Sequence, residues 1–217
     1  MAQRLLAISG VLGPPIYAIL VITLGALWPD YSHVKQSMSE LGSVGAPHAL
    51  VMNTAGLQLL GILLTAFALG LHRGLGSGRS ARIGCSLVAI SGIAIFMTGV
   101  FQCDAHCIDT TKIGITHSIF ATISALAMML SPFALLPALG NDSRWRRYVL
   151  FSLMIGIMVA ILSGLYGLDV FEQWKGVMQR LSLGVALLWI EVMAIKLLRL
   201  SQVESLGYTQ QSSRQLQ

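Results

Sequence analysis

The sequence is short of charge. Only 11% of its 217 residues are Asp, Glu, Lys or Arg, where a soluble domain carries about 25%. So few charges cannot cover a water-soluble globule. Disorder is excluded as well, because disordered segments are charge-rich and poor in apolar residues, whereas 55% of this chain is hydrophobic and its mean hydropathy is +0.74. Acids are scarcer than bases, 9 against 14, for a net charge of +5. The surplus forms no basic stripe, which excludes a nucleic-acid surface. The alternating ten-residue segments of a membrane β-barrel are missing, as are internal repeats, heptad arrays and a separate soluble domain. So are the H-E-x-x-H helix, the EF-hand loop and the G-x-S-x-G elbow.

What is present is a set of six long apolar runs, at about 5–28, 47–71, 83–101, 114–139, 148–168 and 178–198. Crossing the hydrocarbon takes about 20 residues of helix, and only helices pair every backbone group within one such segment. The expectation is an all-α polytopic membrane protein, one bundle of six transmembrane helices over residues 1–200, with a polar, mobile tail over 201–217. The first run is too long for a signal-peptide core and reads as a retained helix, kinked near Pro14 and Pro15. Pro47 is placed to open the second.

Lys and Arg sort by side. Arg4, Arg73, Arg79, Arg82, Arg144, Arg146, Arg147, Lys196, Arg199 and Arg214 fall on one side; Lys35, Lys112, Lys175 and Arg180 fall on the other. Both termini are therefore expected in the cytoplasm, and the protein in the cytoplasmic (inner) membrane with lipid around it. Most acids sort the opposite way: Asp30, Glu40, Asp104, Asp109, Asp169 and Glu172 are expected outside, together with His33, His48, His106 and His117. Titratable chemistry belongs to that outer face.

In the first outer loop Ser37 precedes Glu40 by three residues, the spacing of a capping box, and Gly42 can stop a short helix. The functional alternative makes Ser39 and Glu40 part of a ligand-binding site. In the next outer loop Cys103 and Cys107 are spaced for a disulfide across a helical turn, with α-carbons about 6 Å apart, and thiols outside the cytoplasm are usually oxidised. Zinc is the competing reading, through the thiolates or through Asp104, His106 and His117; no other cofactor is indicated. Arg180 runs against the basic bias and needs an acid partner, which points to a network of Glu40, Asp104, His117 and Arg180, the candidate ligand-binding or catalytic set. Within the membrane the polar residues are Asn53, Gln58 and Glu191. A buried acid there is a functional candidate by default, and Gln58 and Glu191 both lie about 16 Å below their helix ends, a depth at which they can bond each other.

Ser37-Met-Ser-Glu-Leu-Gly42 with Gly45-Ala-Pro47 and Met52-Asn53, Phe101-Gln-Cys-Asp-Ala-His-Cys107 with Gly114 and His117, and Gln179-Arg180 with Trp189 together resemble the bacterial and archaeal membrane family catalogued as domain of unknown function 998. Members often place Gly before the second cysteine, where this chain has His106. The resemblance implies the six-helix fold and no activity. A weaker likeness to seven-helix ceramidase-like zinc hydrolases lacks their paired histidines. Three functions follow as expectations: a multi-pass protein with an outer polar pocket that takes a ligand or a metal, a membrane hydrolase of lipid or lipid-linked substrates, and a small transporter using Glu191. Substrate, protein partners and oligomeric state are not encoded in any motif.

Overall fold

The computed structural model describes residues 2–168 and 170–215, with side chains described as far as Val203. Asp169, expected among the outer acids, lies outside the described residues, as do Leu216 and Gln217 and the side chains from Glu204 onward. The helices are α1 (Ala2–Ala26), α2 (Ala49–Leu75), α3 (Arg79–Val100), α4 (Lys112–Asn141), α5 (Val149–Gly167) and α6 (Lys175–Gln215). All six elements are long and apolar enough to cross a membrane, and the chain is a multi-pass membrane protein. Six crossings bring both chain ends to one end of the bundle, the terminal end; the opposite one is called here the disulfide end.

The helices outrun the apolar windows mainly at charged residues. Arg79 and Arg82 sit in the first turn of α3 and are exposed. Long basic side chains reach polar surroundings while their helix continues, so hydropathy ends before the backbone pattern does. α6 continues through the polar tail to Gln215, where the sequence reads as mobile chain. α1 runs unbroken through Pro14 and Pro15. Pro47 stands ahead of α2, which opens at Ala49 after His48.

Each helix packs on its sequence neighbour, and α1 closes the ring by packing on both α2 and α6. Phe67, Leu64, Trp189, Ile190 and Met193 are buried in the core cluster of the bundle. Lipid gives helices little hydrophobic reason to associate, so close approach through small residues matters. At the α2–α3 crossing a Cβ on Gly61 would stand 2.5 Å from the carbonyl oxygen of Gly92. One stretch of α2, Met52–Gln58, is a π-helix, whose wider turn lies against the loops of the disulfide end.

Candidate functional site

Between α1 and α2 the chain makes a short 3-10 helix, Met38–Gly42. The capping residue expected from sequence is in place: Ser37 N–H donates to Glu40 Oε1 at 2.9 Å, and Gln36 Nε2 donates to Glu40 Oε2 at 3.0 Å. Ser43 Oγ donates to the Glu40 carbonyl at 2.8 Å. From the π-helical turn, Asn53 Nδ2 donates to the Gly42 carbonyl at 2.9 Å. Any side chain at residue 42 would collide there, since its Cβ would run into Asn53 Oδ1.

The first turns of α6 hold this loop from the other side. Gln179 Oε1 accepts the Met38 N–H at 2.5 Å, and Gln179 Nε2 donates to the Tyr166 hydroxyl at 3.2 Å. Arg180 Nη1 donates to the carbonyls of Gln36 and Gly176, both at 2.9 Å. Its Nη2 donates to the Tyr31 hydroxyl at 2.5 Å and to His33 Nδ1 at 3.1 Å. Tyr31 donates its own hydroxyl hydrogen to the Ser37 carbonyl at 2.8 Å. The backbones meet so closely that a Cβ on Gly176 would run into the Gln36 carbonyl oxygen. Burial pushes the Tyr31 phenol up, against the pull of Arg180. Burial, then the Arg180 charge, pushes the His33 imidazole down.

This corrects the expected network. Among the described residues the ion pairs are His106–Glu40 and Arg144–Asp142, so Arg180 pairs with neither Glu40 nor Asp104. The physical reason is that each acid is already engaged: Glu40 caps its own helix, and Asp104 ties its own loop. The donors of an arginine fork can be taken up by carbonyls and a hydroxyl as well as by a carboxylate.

Cys103 and Cys107 are disulfide-bonded, with α-carbons 5.1 Å apart. The turn between them departs from the helical one expected: His106 and Cys107 have φ of 57° and 50°, the left-handed region. The bridge ties the two loops together, because Val44 N–H donates to the Cys103 carbonyl at 3.0 Å and Cys103 Sγ lies 3.4 Å from the Ser39 carbonyl. Next to it Asp104 accepts four bonds. Thr110 N–H (2.8 Å), Thr110 Oγ1 (3.1 Å) and Thr111 N–H (2.7 Å) reach Oδ2, and Thr111 Oγ1 (2.8 Å) reaches Oδ1. The amides of Thr110 and Thr111, then the Thr111 hydroxyl, hold this carboxyl down at about 2. Thr111 also caps α4 by accepting the Gly114 N–H at 3.1 Å, and a Cβ on Gly114 would run into Asp104 Oδ2. His117, 4% exposed, directs Nδ1 at the carbonyls of Thr98 (3.0 Å) and Phe101 (2.8 Å). Two acceptors fix the ring hydrogen on Nδ1, and the ring closes off the end of α3.

Asp104, His106 and His117 are therefore near in sequence but do not converge: among the described residues no three His, Cys, Asp or Glu side chains are grouped as a metal would require. His106 is 72% exposed and faces Glu40, Nδ1 to Oε2 3.9 Å. Ser39 contributes its carbonyl. Gln58 and Glu191 do not bond each other, since Gln58 Nε2 donates to the Gly99 carbonyl at 3.0 Å. α2 meets α3 there, and Gln58 is drawn to the buried Gly99 carbonyl at that crossing. Surface hollows of about 410 and 280 Å³ lie at the terminal end, lined in part by Arg79, Arg82 and Asp142. The residues missed as site members are Tyr31, His33, Gln36, Thr110, Thr111 and Gln179. A pair of threonines just before a helix start is a capping signal, and Gln179 precedes Arg180 in the third motif.

A family model described as Protein of unknown function (DUF998) matches residues 11–196. No curated protein and no solved structure matches the chain. The residues that carry the family resemblance meet at the disulfide end, Trp189 apart, whose indole donates to Ser152 at 2.9 Å inside the core.

Proposed function

Since the chain belongs to the family described as Protein of unknown function (DUF998), a description that names no activity, we infer from the geometry that it is a membrane accessory or receptor-like protein whose disulfide end is a fixed binding platform. One observation carries this reading: the groups suited to acid–base or metal chemistry are engaged in holding the loops. A general base needs a free lone pair within hydrogen-bond reach of its substrate. Asp104 takes four bonds from two threonines, Glu40 takes one bond on each carboxylate oxygen, from Ser37 and Gln36, and His117 commits Nδ1 to two carbonyls, its Nε2 lone pair lying on a buried ring. The basic asymmetry supports a platform outside the cytoplasmic membrane, with both termini in the cytoplasm, and that side is where a disulfide persists.

The test uses near-isosteric replacements in a strain lacking the native copy. Glu40→Gln keeps the bond from Ser37 and gives up the one from Gln36, His117→Asn keeps a donor for the Thr98 and Phe101 carbonyls, and both remove the titrating groups. Both are expected to restore wild-type growth wherever the deletion is impaired. An enzyme that used these groups would lose roughly 100-fold or more in turnover, and either variant behaving like the deletion contradicts the platform reading.

A hydrolase of lipid or lipid-linked substrates is the second reading. His106 favours it, because its exposed ring faces Glu40 and its backbone is held left-handed, a kind of strain often found at active sites. On that reading His106→Gln abolishes turnover while His117→Asn does not.

A further inference from the structure

At the terminal end, α3 carries a stripe that the platform does not explain. Arg79, Arg82, Ile83, Ser86, Leu87 and Ile90 line the hollow of about 410 Å³. Their spacing of three and four residues puts them on one face of the helix. Ile83 and Ile90 are 47% and 44% exposed, so the face looks out of the bundle. From Arg79 to Ile90 the helix rises about 16 Å, the depth of one leaflet's hydrocarbon at roughly half of 30 Å. The two arginines cap the top of this apolar strip, and among the described residues neither has an acid partner. The nearby acid, Asp142, is taken by Arg144 at 2.8 Å. Ser86, one turn below Arg82, sets a hydroxyl between the charged top and the apolar base.

We propose that this stripe is a binding site for one anionic phospholipid of the adjoining leaflet, the cytoplasmic one on the orientation given above. Its phosphate sits between the Arg79 and Arg82 guanidinium groups. Ser86 donates to a glycerol ester carbonyl, and an acyl chain lies along Ile83, Leu87 and Ile90. Charge complementarity selects the occupant: two unpaired cations at headgroup level attract an anion, and a phosphate accepts the planar guanidinium fork in two parallel bonds. A zwitterionic lipid brings its own cation to the same place and gains less. α5 supplies the natural control, because Arg146 and Arg147 also precede an apolar helix, but Arg146 is already turned to the Gly140 carbonyl at 3.2 Å.

The experiment is native mass spectrometry of the full chain in detergent, titrated with phosphatidylglycerol or phosphatidylcholine. The wild type is expected to retain phosphatidylglycerol selectively. An arginine near an anionic surface contributes a factor of about five, so Arg79→Gln with Arg82→Gln should weaken that binding on the order of 25-fold, while Arg146→Gln, at an arginine already engaged by a carbonyl, leaves it unchanged. Equal binding of both lipids by the wild type, no change in the double variant, or an equal loss in Arg146→Gln each overturns the site. Should the double variant fail to fold, Arg82→Gln alone is read for its expected five-fold effect. The measurement is blind to orientation, so a reversed topology would leave its outcome unaltered.

Discussion

His106 shows how a single position can hold two roles at odds. Its φ of 57° is a conformation that L-residues other than Gly, Asn and Asp rarely adopt, at roughly 1–2 kcal/mol. Glycine adopts this backbone conformation without a Cβ clash. His106→Gly should therefore raise stability by up to about 1 kcal/mol, partly offset by the freer unfolded chain; chemical denaturation in detergent would read it. Asp104 gives a pH prediction. Its folded carboxyl sits at about 2 against an ordinary 3.8. A lowered acid stabilises the fold fully above the unfolded value and loses that contribution as pH falls toward the folded one. Stability should thus drop between about pH 4 and 2, and Asp104→Asn should flatten that window in acid melts. Gly114→Ala drives a methyl into Asp104 Oδ2 and should cost about 1–3 kcal/mol as overpacking, seen as a lower melting temperature.

The decisive relation between elements is the grip of α6 on the first loop. Arg180→Ala removes four bonds to residues 31, 33, 36 and 176 and should lower stability by about 3 kcal/mol. Limited proteolysis should then cut within residues 31–42. Arg180→Lys should not rescue it, since one ammonium cannot span a hydroxyl, an imidazole and two carbonyls. The six helices were legible because lipid demands about 20 apolar residues per crossing, and the Ser37–Glu40 cap because its spacing is local. The partners of Arg180 were not. Reading it as an ion pair assumed that a displaced charge seeks an opposite charge, whereas the choice depended on which acceptors the fold left unfilled. Glu40 and Asp104 were already committed to neighbours within seven residues, and the commitment of Asp104 is visible only once the Thr110–Thr111 turn is folded. The same holds for Gln58, whose acceptor on Gly99 exists because α2 and α3 cross at small residues.

Across the whole molecule, one end of the ring is laced together by side-chain bonds while the helices between the ends rely on close apolar packing. The disulfide closes only a small loop, so its effect is to fix Asp104 and the Cys103 carbonyl relative to Val44. Alkylation of the unreduced protein should leave Cys103 and Cys107 unlabelled, and after reduction the loops should loosen while the six helices persist by circular dichroism. The claim that polar groups at this end serve to hold the loops is tested most directly by amide hydrogen exchange of the protein in lipid nanodiscs. The N–H groups of Ser37, Met38, Val44, Thr110 and Thr111 are bonded to Glu40, Gln179, Cys103 and Asp104. They are predicted to exchange slowly in the wild type, with Ser37 and Met38 accelerated in Arg180→Ala. Exchange of all five at the rate of an unstructured loop in the wild type would contradict the account.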